Sequence, residues 1–277
     1  MALSQQTLAR TIEYKGNGLH SGLPVTMTLK PAPINTGIVF VRTDLPGAPS
    51  VKAHIDNVTN TMRATTLENG EAKVFTVEHI LSAFYGIGLD NCYVELDSVE
   101  PPVGDGSGLV FLNLVKEAGL AKQDVLRKIH KVKFAHTIYD GDRYITILPY
   151  DGFRVTFVSI NPHPLLGTQY ADYTITPEVF EKELSAARTI GFLKEIEDLQ
   201  KMGLALGGST ENALVYDDDS CLSIPRFEDE LVRHKILDVL GDLSLVGPIE
   251  GHVIACKSSH ELNARLSREI ISEIREA

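Results

Sequence analysis

His234 and Asp238 stand four residues apart in the stretch Arg233-His234-Lys235-Ile236-Leu237-Asp238, so on a helix both project from one face and can hold one cation between them. A neutral imidazole and a carboxylate suit zinc, and two ligands leave further coordination positions open. Asp242, four residues on, is carried about 40° further round the axis. That is too far to ligate easily, but it can line the same cavity. A second pair, Glu78-His79, follows Thr76-Val77. Thr76 reads as a helix N-cap, which puts Glu78 and His79 in the first turn. The helix dipole there disfavours an imidazolium, so His79 is expected to stay neutral and able to bind a cation.

If the two helices meet, His79, His234 and Asp238 supply three protein ligands and leave a fourth position for water, which is the pattern of a catalytic zinc rather than a structural one. Glu78, next to a ligand but not one itself, can take a proton from that water. His260 sits between a strand and the last helix, where Asp242 can orient it and favour its protonated form. An acid across the metal from a base is what amide cleavage needs, because the leaving amine must be protonated. His20, in the glycine-rich loop 16–22, is a candidate ligand contact. The 104–108 stretch, Gly-Asp-Gly-Ser-Gly, is neither a dinucleotide fingerprint nor a P-loop and reads as a tight turn into a helix.

These residues must be positioned by elements that occur twice. The first half has strand-like runs over 11–14, 25–29, 38–42 and 51–55, a helix over 77–85, an alternating strand over 92–96 and an amphipathic helix over 109–118. The second half repeats the order. A hairpin turning at Asp140-Gly141 joins strands 132–138 and 144–148, a strand follows over 154–160, then a helix over 230–245, a strand over 252–257 and a terminal helix over 261–275. Strands followed by helices favour α+β layers. The expected architecture is two similar α+β domains, 1–124 and 125–277, each a sheet covered by helices, packed helix layer to helix layer with the site between them. An insertion at 177–219, with helical pieces over 178–187 and 192–202 and a glycine-rich end, is expected to touch ligand.

The bulk composition narrows the partners. The 277 residues carry 26 Lys and Arg against 37 Asp and Glu, a formal charge of −11, which argues against nucleic acid or an anionic membrane surface. Three cysteines without a CxxC pair form neither a disulfide framework nor a thiolate zinc cluster. Neither a signal-peptide core nor an apolar run of about 18 residues is present, so a cytoplasmic protein without a transmembrane segment is expected, and a monomer.

In order along the chain, residues 16–22, Thr76-Val77-Glu78-His79, 102–108, Ala187-Arg188-Thr189, Gly207-Gly208-Ser209, 232–242 and Ser259-His260 resemble the UDP-3-O-acyl-N-acetylglucosamine deacetylases, zinc amidases of lipid A synthesis. The resemblance implies zinc on His79, His234 and Asp238; carboxylate-plus-imidazole sites also accept iron or cobalt. It implies Glu78 as general base, His260 as general acid and Asp242 as its partner. Thr189 would donate to the oxyanion, Lys235 would meet substrate oxygens and Lys257 the diphosphate of a nucleotide-sugar lipid substrate. An acyl passage would involve Ile190, Phe192, Gly208 and Ser209. Arg63, Ile160 and Ile190 depart from the residue types usual in the family. The alternatives are an amidohydrolase acting on a different acylated amino sugar and a non-catalytic nucleotide-sugar or lipid-binding protein, which would lack the base or the acid.

Overall fold

The computed structural model describes residues 3–276, so the outermost ends of the two expected domains, 1–2 and 277, lie outside the described residues. Strand β1 (Ser4–Leu8) leads into β2 (Ile12–Asn17), β3 (Pro24–Pro31), β4 (Ile38–Arg42) and the short β5 (Ser50–Lys52). A small meander follows, β6 (Val58–Asn60), β7 (Thr66–Asn69) and β8 (Ala72–Val74), then helix α1 (Glu78–Ile87), β9 (Cys92–Leu96), α2 (Leu109–Ala118) and β10 (Leu120–Leu126), which pairs antiparallel with β1. The division expected at 124/125 falls within β10.

The second half runs β11 (His130–Lys131), β12 (His136–Asp140), β13 (Arg143–Leu148), β14 (Phe153–Ile160) and β15 (Thr168–Thr174). The insertion holds α3 (Pro177–Val179), a π-helical turn Phe180–Leu184, β16 (Ile190–Phe192), α4 (Leu193–Lys201) and β17 (Leu214–Tyr216). Then come α5 (Glu230–Leu243), β18 (Ile249–Cys256) and α6 (His260–Glu276).

The duplication is visible in the sheets. The first has order β2-β3-β9-β4-β5 and the second β12-β13-β18-β14-β15. In each, the strand that follows the main helix returns to the centre, antiparallel to one neighbour (β3 or β13) and parallel to the other (β4 or β14). Alternating residues of β3, β14 and β18 are buried, so one face of each sheet meets helices. The chain is α+β, as expected.

Helices α1 and α5 are the hinge of the architecture, because both are buried over most of their length. They cross at Gly241, where a Cβ would lie 2.1 Å from the carbonyl oxygen of Glu78. Only glycine permits that approach, and it brings the start of α1 onto the face of α5 that carries His234 and Asp238. One large core, from Leu8 to Ile271, runs through both halves, while Leu166, Leu214, Tyr216 and Leu231 form a separate small cluster with Ile190 and Phe192 in the insertion.

Two local expectations are corrected. Thr76 does not cap α1. Val77 occupies the N-cap position without a side-chain bond, and Thr76 takes a left-handed backbone (φ 52°) with its hydroxyl turned to Glu100. The helix expected over 178–187 is broken into α3 and the π-helical turn, with Ser185 Oγ donating to the Glu181 carbonyl.

Candidate active site

The start of α1 and the middle of α5 bring His79, His234 and Asp238 together, all buried, with one potential ligand atom from each within 4.8 Å of the others. His234 Nε2 lies 3.3 Å and His79 Nε2 3.8 Å from Asp238 Oδ1. The two imidazoles meet edge-on, 5.0 Å between ring centres and 81° between planes. Asp238 Oδ2 accepts from Lys235 Nζ at 2.9 Å, whereas Oδ1 is buried without a hydrogen-bond partner among the described residues. An orphaned buried carboxylate oxygen is costly. With two imidazole nitrogens facing it, it fits a divalent cation of zinc's ligand preference.

The protonation states agree with that fit. Burial, and then the neighbouring His234, push His79 down to about 3, so its ring is neutral. Burial also lowers His234, against the pull of Asp238. Its Nδ1 lies 3.1 Å from the Ala187 carbonyl, which fixes the Nδ1–H tautomer and leaves Nε2 free to ligate. Burial alone would raise Asp238. The fields of His234 and Lys235, helped by His260 and His79, overcome it and hold the carboxyl well below the usual carboxylate range.

On one side of this cluster stands Glu78. Its Oε2 accepts from the Thr65 backbone N–H at 3.0 Å, and its Oε1 lies 3.9 Å from His260 Nε2. Burial raises its carboxyl to about 7, with Asp242 and Asp238 adding to the rise and His260 opposing it. A carboxyl poised near neutrality can both accept and release a proton.

His260 is the first residue of α6. Its Nδ1 lies 2.8 Å from Asp242 Oδ2, which also accepts from Asn263 Nδ2 at 2.9 Å. Burial opposes the imidazolium, but Asp242 and then Glu78 outweigh it and raise the ring to about 10. Asp242 is thus bonded to His260 and stands outside the cluster of His79, His234 and Asp238. Its other oxygen accepts from Thr65 Oγ1 at 2.6 Å. Thr65 thus binds Glu78 through its backbone and Asp242 through its side chain.

The remaining expected residues are each held by contacts of their own. Lys235, its side chain 34% exposed, is committed to Asp238. Thr189 leads into β16, its N–H donating to the Gly106 carbonyl at 2.8 Å and its carbonyl accepting from Leu214 at 2.8 Å. Arg188 beside it forms a buried ion pair with Glu230, Nε to Oε1 at 2.9 Å, which holds the Ala187 carbonyl against His234. Ile190 and Phe192 are half-buried, Phe192 packing near His163 and Tyr216. Gly208 lies in a turn closed by Ala205, and Ser209 is exposed.

His20 is reached by the insertion, since the Ala205 N–H donates to its Nδ1 at 3.2 Å. Lys257 pairs with Asp142 at the hairpin beyond the centre. Arg63 forms an ion pair with Glu195 of α4 at 3.0 Å, linking the first half to the insertion. Ile160, at the end of β14, is 50% exposed, so it offers an uncovered apolar side chain.

Sequence reasoning missed Thr65, Asn263, Glu230, Glu100 and Gly241. Four of them act across long stretches of chain, and Gly241 acts by what it lacks.

The chain matches the family model for UDP-3-O-acyl N-acetylglycosamine deacetylase over residues 5–272. Among curated relatives, the UDP-3-O-acyl-N-acetylglucosamine deacetylase of Pseudomonas entomophila (strain L48) is 48% identical, covering 98% of this chain and 91% of the relative. The protein of the same name from Hahella chejuensis (strain KCTC 2396) is 45% identical with the same coverage. No helix among the described residues is long and apolar enough to cross a membrane.

Proposed function

The chain belongs to the UDP-3-O-acyl N-acetylglycosamine deacetylase family, and on that premise we propose which of its residues carry the reaction and how. The reaction is hydrolysis of the N-acetyl group of UDP-3-O-acyl-N-acetylglucosamine, a step in lipid A biosynthesis. The observation that carries the residue assignment is the convergence of three ligand atoms on the orphaned Oδ1 of Asp238, with a carboxyl near neutrality and a charged imidazole beside them.

His79, His234 and Asp238 would hold a zinc ion, which when bound would polarise the acetamide carbonyl and acidify water next to it. Iron or cobalt suits the same donor set. Glu78 takes a proton from the attacking water as its oxygen bonds to the carbonyl carbon. Thr189 donates its hydroxyl hydrogen to the oxygen that becomes negative, a contribution of about 2.7–4 kcal/mol for a well-placed donor. His260 then gives its proton to the glucosamine nitrogen as the C–N bond breaks, and acetate and the free amine leave.

Asp242 serves this cycle by keeping His260 protonated until the amine needs the proton. Lys235 meets substrate oxygens near the site and Lys257 the diphosphate, releasing Asp142 to do so. His20 and the segment of Ile190, Phe192, Gly208 and Ser209 border the substrate and its acyl chain, where the insertion supplies apolar surface. A UDP-linked substrate supports a cytoplasmic site for the reaction.

The test is acetate release from UDP-3-O-acyl-N-acetylglucosamine by the purified chain as isolated, after chelation and after adding zinc back. Loss on chelation and recovery with zinc is expected. Turnover that persists in fully chelated protein would refute the metal's role. Turnover on another acylated amino sugar but not on this one would refute the substrate.

A further inference from the structure

Glu100 lies between β9 and α2, on the approach to the glycine turn 104–108, and is fully buried. Among the described residues four donors meet its carboxylate and none is a charged side chain. Oε1 accepts from Thr76 Oγ1 at 2.7 Å, and Oε2 from Ser21 N at 2.9 Å and Ser21 Oγ at 2.8 Å. The His20 N–H is shared between the two oxygens, at 3.0 and 3.1 Å. A buried carboxylate held by neutral donors is a poor way to gain stability, since removing it from water costs several kcal/mol. What it secures is the relative placement of the segments that donate to it.

One of those segments is the turn into α1. Thr76 has a left-handed backbone, a conformation that costs a β-branched residue about 1–3 kcal/mol and persists only when the surroundings enforce it. Its hydroxyl bond to Glu100 supplies that enforcement two residues ahead of Glu78.

The other segment is the loop between β2 and β3. It wraps Glu100 so closely that a Cβ on Gly18 would lie 2.3 Å from Oε2. The far side of this loop is the seat of the insertion. Leu206 N donates to the His20 carbonyl at 3.1 Å, Gly207 N to the Leu19 carbonyl at 3.0 Å, and Ala205 N to His20 Nδ1. A Cβ on Gly207 would lie 2.1 Å from the Gly18 carbonyl oxygen, so the two loops meet backbone to backbone. Because Nδ1 of His20 is an acceptor, its neutral ring carries the proton on Nε2.

We propose that Glu100 is a positioning residue for the deacetylation: one buried carboxylate sets the turn that leads to Glu78 and, through the His20 loop, the seat of the glycine-rich end of the insertion. This rests on the reading of the site given above. It connects the proton-transferring end of the site to the part that borders the acyl chain.

The test is Glu100→Gln, which keeps the shape but offers one carbonyl oxygen and an NH₂ group to donors that need acceptors. With metal content unchanged, kcat is expected to fall about 10- to 100-fold, the scale of a small displacement of a catalytic group. The ratio of kcat/KM between long-acyl and short-acyl substrates should shift as well. Thr76→Val should lower kcat alone and add little in the Glu100→Gln background, while Thr76→Ser, which keeps the hydroxyl, should restore it. Nitrogen NMR of the histidine rings should show the Nε2–H tautomer of His20 in the unmodified chain and a mixture in Glu100→Gln, a readout that needs no turnover.

A folded, metal-loaded Glu100→Gln with unchanged kcat or an unchanged His20 tautomer would overturn the proposal. If that variant does not fold, Thr76→Val and Ser21→Ala at full kcat would overturn it instead. Absence of turnover in the unmodified chain would count against the assigned reaction, and the tautomer measurement would still decide the role of Glu100.

Discussion

Gly241→Ala is the smallest change that should dismantle the site without touching any reacting group. The new methyl carbon would stand 2.1 Å from the Glu78 carbonyl oxygen and 2.8 Å from its carbonyl carbon and Cα. Ordinary contact begins near 3.4 Å, so α1 and α5 would have to separate by roughly 1 Å at their crossing. The obstacle is backbone on both sides, so no side chain can swing away. Metal sites tolerate ligand displacements of about 0.2 Å, and of the three proposed ligands one comes from α1 and two from α5.

Helix propensity alone makes the opposite forecast for the same substitution, a gain of about 0.5–1 kcal/mol from replacing a helical glycine. The overlap should reverse that sign and cost about 1–3 kcal/mol or more. Zinc affinity should fall at least 10-fold and kcat about 100-fold. Thermal melting of the metal-free chain, competition titration with zinc and acetate release measure the three effects. A stabilised Gly241→Ala chain with unchanged zinc affinity and turnover would refute the argument that this close crossing builds the site.

Three other outcomes follow from the same geometry. With His260 as the proposed acid, which must be protonated to work, activity should decline as pH rises through its value near 10. Asp242→Asn removes the carboxylate that raises it most, and the basic limb of the kcat/KM profile should move down by about 1–3 pH units; an unmoved limb would detach His260 from that limb. Glu230→Ala strands the buried Arg188 guanidinium and should cost about 3–5 kcal/mol in denaturant unfolding, with zinc binding weakened through the Ala187–His234 contact. Thr65→Val keeps the N–H on Glu78 but removes the hydroxyl from Asp242, so metal content should hold while kcat falls several-fold, about 1 kcal/mol.

The parts of the site that were legible in the sequence are those written in short spacings. His234 and Asp238 share a helix face by their separation alone, and Glu78-His79 announces itself by adjacency in a first turn. The repeated order of strands and helices foretold that these two helices correspond, and the matching sheet orders bear that out.

What remained hidden acts over distance or through the main chain. Thr65 reaches Asp242 across 177 residues, and Glu100 reaches Ser21 across 79. The Ala187 carbonyl that orients His234 belongs to a residue type with no chemical signal at all. Thr76 misled for a related reason. Thr before an acidic first turn is the usual sign of a cap, but a buried carboxylate 24 residues away claims its hydroxyl. In the insertion, Phe180 fills the space beside Gly86 and Gly108, and the helix that holds it opens into a π-turn, which local propensity gives no means of foreseeing.

The most direct measurement is metal content and acetate release of Glu78→Gln, taken side by side with the unmodified chain. As the base, Glu78 should be dispensable for metal binding, so the variant should carry the same metal content while turnover falls about 100- to 10,000-fold. A variant that loses its metal would make Glu78 a ligand, and one that keeps both metal and turnover would remove it from the chemistry.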